Sequence, residues 1–299
     1  MLRSAPVDGF TLAYERHGSG EPVVLLHGWP GDHADWREVA ALLVAGDGAD
    51  VVACDLRGFG ESGRDAADPA AYAAPGQADS VLGLIEELGL QRPVIAGYDI
   101  GSRVAQQIAR AAPASVRSLV ISPPLPGVRE RVLSERAVGE FWYQSFHRLA
   151  LSERLLDGNR EAVRAYLGHF WEHWSGPDHH PAAAELDRLA GLYGAPGAFV
   201  ASINWYRAGA GTVARSLAEE VPAPEDRIAV PTTVLWPEHD PLFPPEWSDR
   251  IEEFFSAVSL HVLPGIGHFT PLEAADRFAE AIARALGQEP GPPPRPVRA

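Results

Sequence analysis

Gly97-Tyr98-Asp99-Ile100-Gly101 follows the apolar run Val94-Ile95-Ala96 and precedes a stretch with helical spacing, Val104, Ala105, Ile108 and Ala109. The order is strand, sharp turn, helix. Two glycines flank a turn residue that such geometry holds in a strained conformation, where its neighbours come too close to tolerate a Cβ. That residue is Asp99. A carboxylate that attacks a carbonyl makes an anhydride, which gains nothing. A carboxylate that attacks a saturated carbon makes an alkyl ester, whose own carbonyl water can then attack. Asp99 in this turn therefore points to chemistry at an electrophilic sp³ carbon, in a strained cyclic ether or next to a halogen.

Working outward, apolar runs recur with helical patterns between them. Val23–Leu26, Val51–Cys54, Val94–Ala96, Leu119–Ile121, Thr232–Trp236 and Leu260–Leu263 read as buried strands. Continuous rather than alternating apolar runs suit a parallel sheet covered on both faces. Phe10–Tyr14 alternates better, as an edge hairpin strand would. The fold class is α/β. After Ser122-Pro123-Pro124-Leu125-Pro126-Gly127 the rhythm breaks: residues 128–221 carry helical spacing and many aromatics, including Phe141, Trp142, Tyr143, Tyr166, Trp171, Trp205 and Tyr206. This middle is expected to form a helical cap inserted in a core made of 1–127 and 222–289. The Pro-rich stretch 290–299 is expected to be disordered.

The net charge of −15, from 40 acidic against 25 basic residues, argues against nucleic acid or an anionic membrane as partner. Met1-Leu2-Arg3-Ser4-Ala5-Pro6 lacks the apolar centre of a signal peptide, and one cysteine, Cys54, allows no internal disulfide, so a cytoplasmic protein is expected. All 25 basic residues are arginine. Schiff-base chemistry and a P-loop lysine are therefore excluded. His169 and His173 stand at i, i+4 near His179 and His180, but no carboxylate–histidine motif frames them, and no metal or other cofactor is expected.

Other chemistry-bearing stretches fall just past apolar runs, where parallel sheets carry their sites. His27-Gly28-Trp29-Pro30 follows the first run, Glu238-His239-Asp240-Pro241 the Thr232 run, and Gly265-Ile266-Gly267-His268-Phe269 the Leu260 run. Asp240 would orient the ring of His268, and His268 would face Asp99. Together with Asp55-Leu56-Arg57-Gly58-Phe59-Gly60-Glu61-Ser62, these stretches resemble the epoxide hydrolases of the α/β-hydrolase fold and their haloalkane and fluoroacetate dehalogenase relatives, from about Gly9 to Leu286. Tyr98 departs from the histidine that many relatives carry there. The resemblance implies an order of nucleophile, acid, histidine. It also implies an oxyanion hole from the backbone N–H groups of Trp29 and Ile100.

The leaving group separates the alternatives. An epoxide opens to an alkoxide, which needs a proton donor, and the resemblance implies two tyrosines of the cap. Asn204-Trp205-Tyr206-Arg207 resembles the segment carrying one, and Phe141-Trp142-Tyr143-Gln144 the segment carrying the other, with Tyr166 a rival to Tyr143. Haloalkane dehalogenases place a tryptophan directly after the nucleophile and fluoroacetate dehalogenases an arginine; here that residue is Ile100. Arg103 matches a second arginine of the latter family, but reads here as a helix-surface or structural residue. The expected activity is hydrolysis of a small apolar epoxide by water, in detoxification or secondary metabolism, with Trp29, Tyr143, Trp205, Tyr206 and Phe269 against the substrate. A dehalogenase using the same aspartate and a non-catalytic ligand-binding protein of this fold are the alternatives, and a homodimer is compatible.

Overall fold

The computed structural model describes residues 1–46, 48–64, 68–180 and 182–288, so the expected disordered tail at 290–299 lies outside the described residues. Among the described residues, eight strands form one sheet: β1 (Leu2–Arg3), β2 (Ala13–Gly18), β3 (Glu21–Leu26), β4 (Ala49–Cys54), β5 (Val94–Gly97), β6 (Ser118–Ile121), β7 (Thr232–Pro237) and β8 (Val258–Leu263). Their order is β1-β2-β4-β3-β5-β6-β7-β8. Strands β3 to β8 pair in parallel, while β1 and β2 are antiparallel.

The central strands are apolar throughout because helices cover both faces; Val23, Val24, Val94, Ile95, Leu119 and Val120 have no exposed surface. The helix Ile100–Ala111 turns Val104, Ala105, Ile108 and Ala109 inward. The helix Ala275–Leu286 buries Phe278, Ile282 and Leu286, and ends at Gly287, whose φ of 79° caps it in the left-handed region. Each large apolar side chain so buried contributes about 1.5–3 kcal/mol.

Two strands depart from the sequence reading. The strand expected at Phe10–Tyr14 begins at Ala13, because Asp8 and Gly9 take positive φ and fold Phe10 back against Val7. The run Leu260–Leu263 is a strand, but it lies at the sheet edge, where Leu260 and Val262 are exposed. An edge strand has a neighbour on one side alone, so apolar composition did not imply burial there.

Between β6 and β7 the described residues form no strand. Helices run there instead, among them Trp142–His147, Arg160–Trp174, Ala183–Tyr193 and Ala198–Arg207. They leave the C-terminal end of β6 and fold back over the C-terminal ends of its neighbours. Arg188 donates twice to Asp32, at 2.6 and 2.9 Å, and the Tyr193 hydroxyl donates to the Gly31 carbonyl at 2.5 Å. The His268 amide donates to the Trp174 carbonyl at 2.8 Å. Among the described residues no helix is long and apolar enough to cross a membrane.

Candidate active site

Asp99 sits between the end of β5 and the first turn of the helix Ile100–Ala111, with φ 48° and ψ −122°. An L-residue there is strained, by about 1–3 kcal/mol. Packing holds it: a Cβ on Gly97 would come 2.6 Å from the Gly101 carbonyl carbon, and one on Gly101 2.0 Å from the Leu26 oxygen. The Asp99 amide donates to the Pro123 carbonyl at 2.9 Å, tying the turn to the chain leaving β6. The loop after β3 presses against the turn, since a Cβ on Gly28 would lie 2.5 Å from that of Asp99.

Asp240 and His268 follow β7 and β8 and are fully enclosed. The Leu242 amide donates to Asp240 Oδ1 at 2.8 Å, leaving Oδ2 to accept from His268 Nδ1 at 2.8 Å. The other ring nitrogen, Nε2, lies 3.6 Å from Asp99 Oδ2 and has no nearer partner. The imidazole thus stands between two carboxylates. Burial works against its charge, but the attraction of Asp240, its hydrogen bond and Asp99 outweigh burial and raise the pKa to about 10. The Glu273 carboxylate ties this loop to the helical segment between β6 and β7, accepting from the amides of Gly176 (2.8 Å), Gly267 (2.7 Å) and Phe269 (3.1 Å).

Across from Asp99 stand Tyr143 and Tyr206, both buried, with ring centroids 5.6 Å apart and planes at 84°. Gln144 Nε2 donates to the Tyr143 hydroxyl at 3.2 Å, while its Oε1 accepts from the Val213 amide at 3.1 Å. The Tyr143 proton is therefore left for another acceptor. Burial, and then nearby charge, pushes both phenols up, so both stay protonated. Trp29 stacks on Tyr143 at 5.8 Å with an interplanar angle of 8°. A cavity of about 10 Å³ separates the groups; Asp99, Ile100, Tyr143, Trp205 and Tyr206 are among its lining residues. That is room for one water.

Of the other expected residues, Trp205 lines this cavity, whereas Phe269 packs on Trp171 and Trp174, at 5.3 and 6.2 Å between centroids. Tyr166 is engaged elsewhere, its hydroxyl 2.9 Å from His147 Nε2. Arg103, expected as a helix-surface or structural residue, is half-buried: one N–H donates to the Leu125 carbonyl at 3.3 Å, and the side chain borders the cavity one helical turn after Asp99. Gln144 and Glu273 escaped sequence reading. Adjacency to Tyr143 marks Gln144, but nothing local marks Glu273. Asp35 also escaped it; the Tyr98 hydroxyl donates to Asp35 Oδ2 at 2.6 Å. Burial and Asp32 push the Asp35 carboxyl well above the usual range.

Among the described residues one group could offer metal ligands, since oxygens and nitrogens of Asp32, His33 and Asp55 lie within 4.8 Å of one another. These atoms already have protein partners: Asp32 holds Arg188, and His33 Nδ1 meets Asp55 Oδ1 at 2.8 Å. His173, one of the paired histidines, lies 2.7 Å from Glu140.

Residues 23–281 match the α/β-hydrolase family, and the chain belongs to it. It is 25% identical over 264 residues to epoxide hydrolase 3 of Mus musculus, covering 85% of this chain and 67% of that one. It is 37% identical over 111 residues to a fluoroacetate dehalogenase of Burkholderia, a stretch that spans 36% of each chain. A solved structure from work on epoxide hydrolases in metagenomes from hot environments superposes with a TM-score of 0.79 at 25% identity, covering 95% of this chain and 97% of that one.

Proposed function

We propose that this α/β-hydrolase opens an epoxide to a vicinal diol through an ester on Asp99. The observation that carries the reading is the pair of buried, protonated phenols facing a carboxylate across a water-sized cavity. An Asp99 oxygen attacks a ring carbon, the ring C–O bond breaks, and the oxygen takes a proton from Tyr143 or Tyr206. A halide needs no proton, and the residue after Asp99 is Ile100, which has no side-chain donor to hold one. The reading therefore favours the epoxide over the dehalogenase alternative.

The charge on His268 suits the second half. In the resting site its cation lies between Asp99 and Asp240. Esterification removes the charge of Asp99 and ring opening leaves a phenolate, so the His268 proton passes to the phenolate and the neutral ring can act as a base. It then takes a proton from water, which attacks the ester carbonyl. Backbone N–H groups of Trp29 and Ile100 stabilise the oxyanion. The acyl C–O bond breaks, the leaving oxygen takes the second proton of that water, the diol leaves with His268 charged again, and Asp99 keeps one oxygen from water.

His268→Gln should still alkylate Asp99 and then stall. Intact-mass measurement should show one added substrate mass on the peptide holding Asp99. In a single wild-type turnover in ¹⁸O water, label should enter Asp99 and not the diol. Label found directly in the diol would leave Asp99 as a mere base, and the ester route would be wrong.

A further inference from the structure

Tyr98 and Asp35 take no part in the steps above, yet they lie against the groups that do. Tyr98 precedes Asp99 and so stands two residues before Ile100. Its side chain is fully buried, and its ring meets that of His268 edge-on, at 6.2 Å between centroids. Its hydroxyl donates to Asp35 Oδ2 at 2.6 Å, across 63 residues of chain. Asp35 lies on the short helical turn His33–Trp36, just past the loop that carries Trp29, and is buried as well. Its other oxygen, Oδ1, is sealed from solvent and has no hydrogen-bond partner among the described residues. A buried carboxyl satisfied on one side alone costs stability, so its presence needs a reason outside the core it fills.

The reason lies in the loop His27-Gly28-Trp29-Pro30-Gly31. The Gly31 amide donates to the Gly28 carbonyl at 3.0 Å and closes this loop on itself. Both of its glycines rest on the pair. A Cβ on Gly28 would come 3.1 Å from Tyr98 Cε2 and Cζ, and one on Gly31 would come 1.7 Å from Asp35 Oδ2. Glycine therefore allows one end of the loop to touch the phenol and the other to touch the carboxyl that the phenol binds. Tyr98 in turn is joined through the backbone to Ile100. One buried hydrogen bond thus links the segment carrying the Trp29 amide to the segment carrying the Ile100 amide.

We propose that Asp35 is a positioning residue which, through Tyr98, sets the Trp29 amide against that of Ile100, and so serves the hydrolytic half of the reaction and not ring opening. This rests on the ester route above. The oxyanion forms only when water attacks the ester carbonyl, whereas opening of the epoxide puts its charge beside Tyr143 and Tyr206. A donor moved out of line costs rate in the step whose charge it meets and leaves the other step alone.

The test follows both steps in one single-turnover experiment, by rapid-quench mass measurement of free and alkylated protein. Tyr98→Phe keeps the ring and removes the hydroxyl, and Asp35→Ala removes the acceptor. Each should slow hydrolysis of the Asp99 ester at least about tenfold, while alkylation stays within about twofold of wild type. Asp35→Asn keeps an oxygen that can accept from Tyr98 and should recover most of the loss. Equal slowing of both steps, unchanged hydrolysis, or an Asp35→Asn no faster than Asp35→Ala overturns the proposal and leaves the ester route standing. If Asp35→Ala fails to fold, Tyr98→Phe decides through the same two rates. If neither wild type nor His268→Gln forms an ester, the ester reading falls by itself, and amide exchange then decides the seating of the loop. In Tyr98→Phe the amides of Trp29 and Gly31 should exchange at least about tenfold faster while β3 and β5 keep their protection. Unchanged exchange at those two amides overturns the proposal.

Discussion

Tyr206 and Tyr143 differ in what surrounds them, although both face Asp99. Tyr143 is steadied by Gln144 and by the stacked Trp29. Tyr206 lies edge-on against Trp29, at 6.2 Å, and beside His147, at 4.7 Å. Replacing tyrosine by phenylalanine keeps this packing and removes one donor to the developing alkoxide. Each single variant should lose roughly 10²–10³ in the rate of ring opening, and the double variant should be close to inactive. Stopped-flow measurement of Asp99 alkylation reads that step alone; an unchanged alkylation rate in Tyr206→Phe would remove it from the mechanism. His268 makes a second prediction. Its pKa is about 10 in the folded protein against 6.5 for the free side chain. A raised pKa means that the folded state holds the proton more tightly, so the stabilisation is full below about pH 6.5 and is lost as pH rises through about 10. The urea midpoint of wild type should fall across that window. His268→Gln should show a shallower fall; an identical profile would mean that the ring carries no such charge.

At the scale of the element, a loop between β8 and the helix Thr270–Glu273 is held from its far side. Glu273 accepts three amide protons, two from the loop carrying His268 and one from Gly176 in the cap. Three donors on one carboxylate fix the loop more firmly than its own short hydrogen bonds could. Glu273→Ala strips all three of their acceptor. The expected loss is roughly 1.5–3 kcal/mol of stability, read as a lower urea midpoint. Because the loop aims the base, the hydrolytic half should slow more than ring opening, and ester should accumulate in the steady state. Equal slowing of both halves would make Glu273 a stability residue alone.

For the molecule as a whole, the question is what keeps the helices between β6 and β7 over the strand ends. They begin and end at neighbouring strands, so the covalent connections restrain them at one place. Arg188 on Asp32 and Tyr193 on Gly31 pin the opposite side, near the loop that carries Trp29. Asp32 is buried while Arg188 is one-third exposed, so the pair is partly screened. Removing Arg188 still strands a buried carboxylate. Arg188→Met should therefore speed amide exchange in the helix Ala183–Tyr193 while the central strands keep their protection. Exchange that rises equally in β3 and β5 would show that the contact supports global stability and not the position of the cap.

What was legible in the sequence is what depends on neighbours along the chain. Apolar runs of the right length marked the inner strands, since a parallel strand buried on both faces needs apolar residues at every position. Two glycines around Asp99 marked the strained turn, since a Cβ there would strike backbone. Residues 128–221 show no strand pattern, and the described ones among them form no strand. What tertiary structure alone decided depends on residues far apart in the chain meeting across the fold. The exposed edge position of β8 follows from strand order, which its composition does not encode. Glu273 became a staple because its carboxylate meets amides at 176, 267 and 269. Arg103 read as a helix-surface or structural residue; only the fold shows that it is half-buried, with one N–H on the Leu125 carbonyl. Spacing along a chain sets which face a residue takes, but burial and partnership are set by whatever packs against that face.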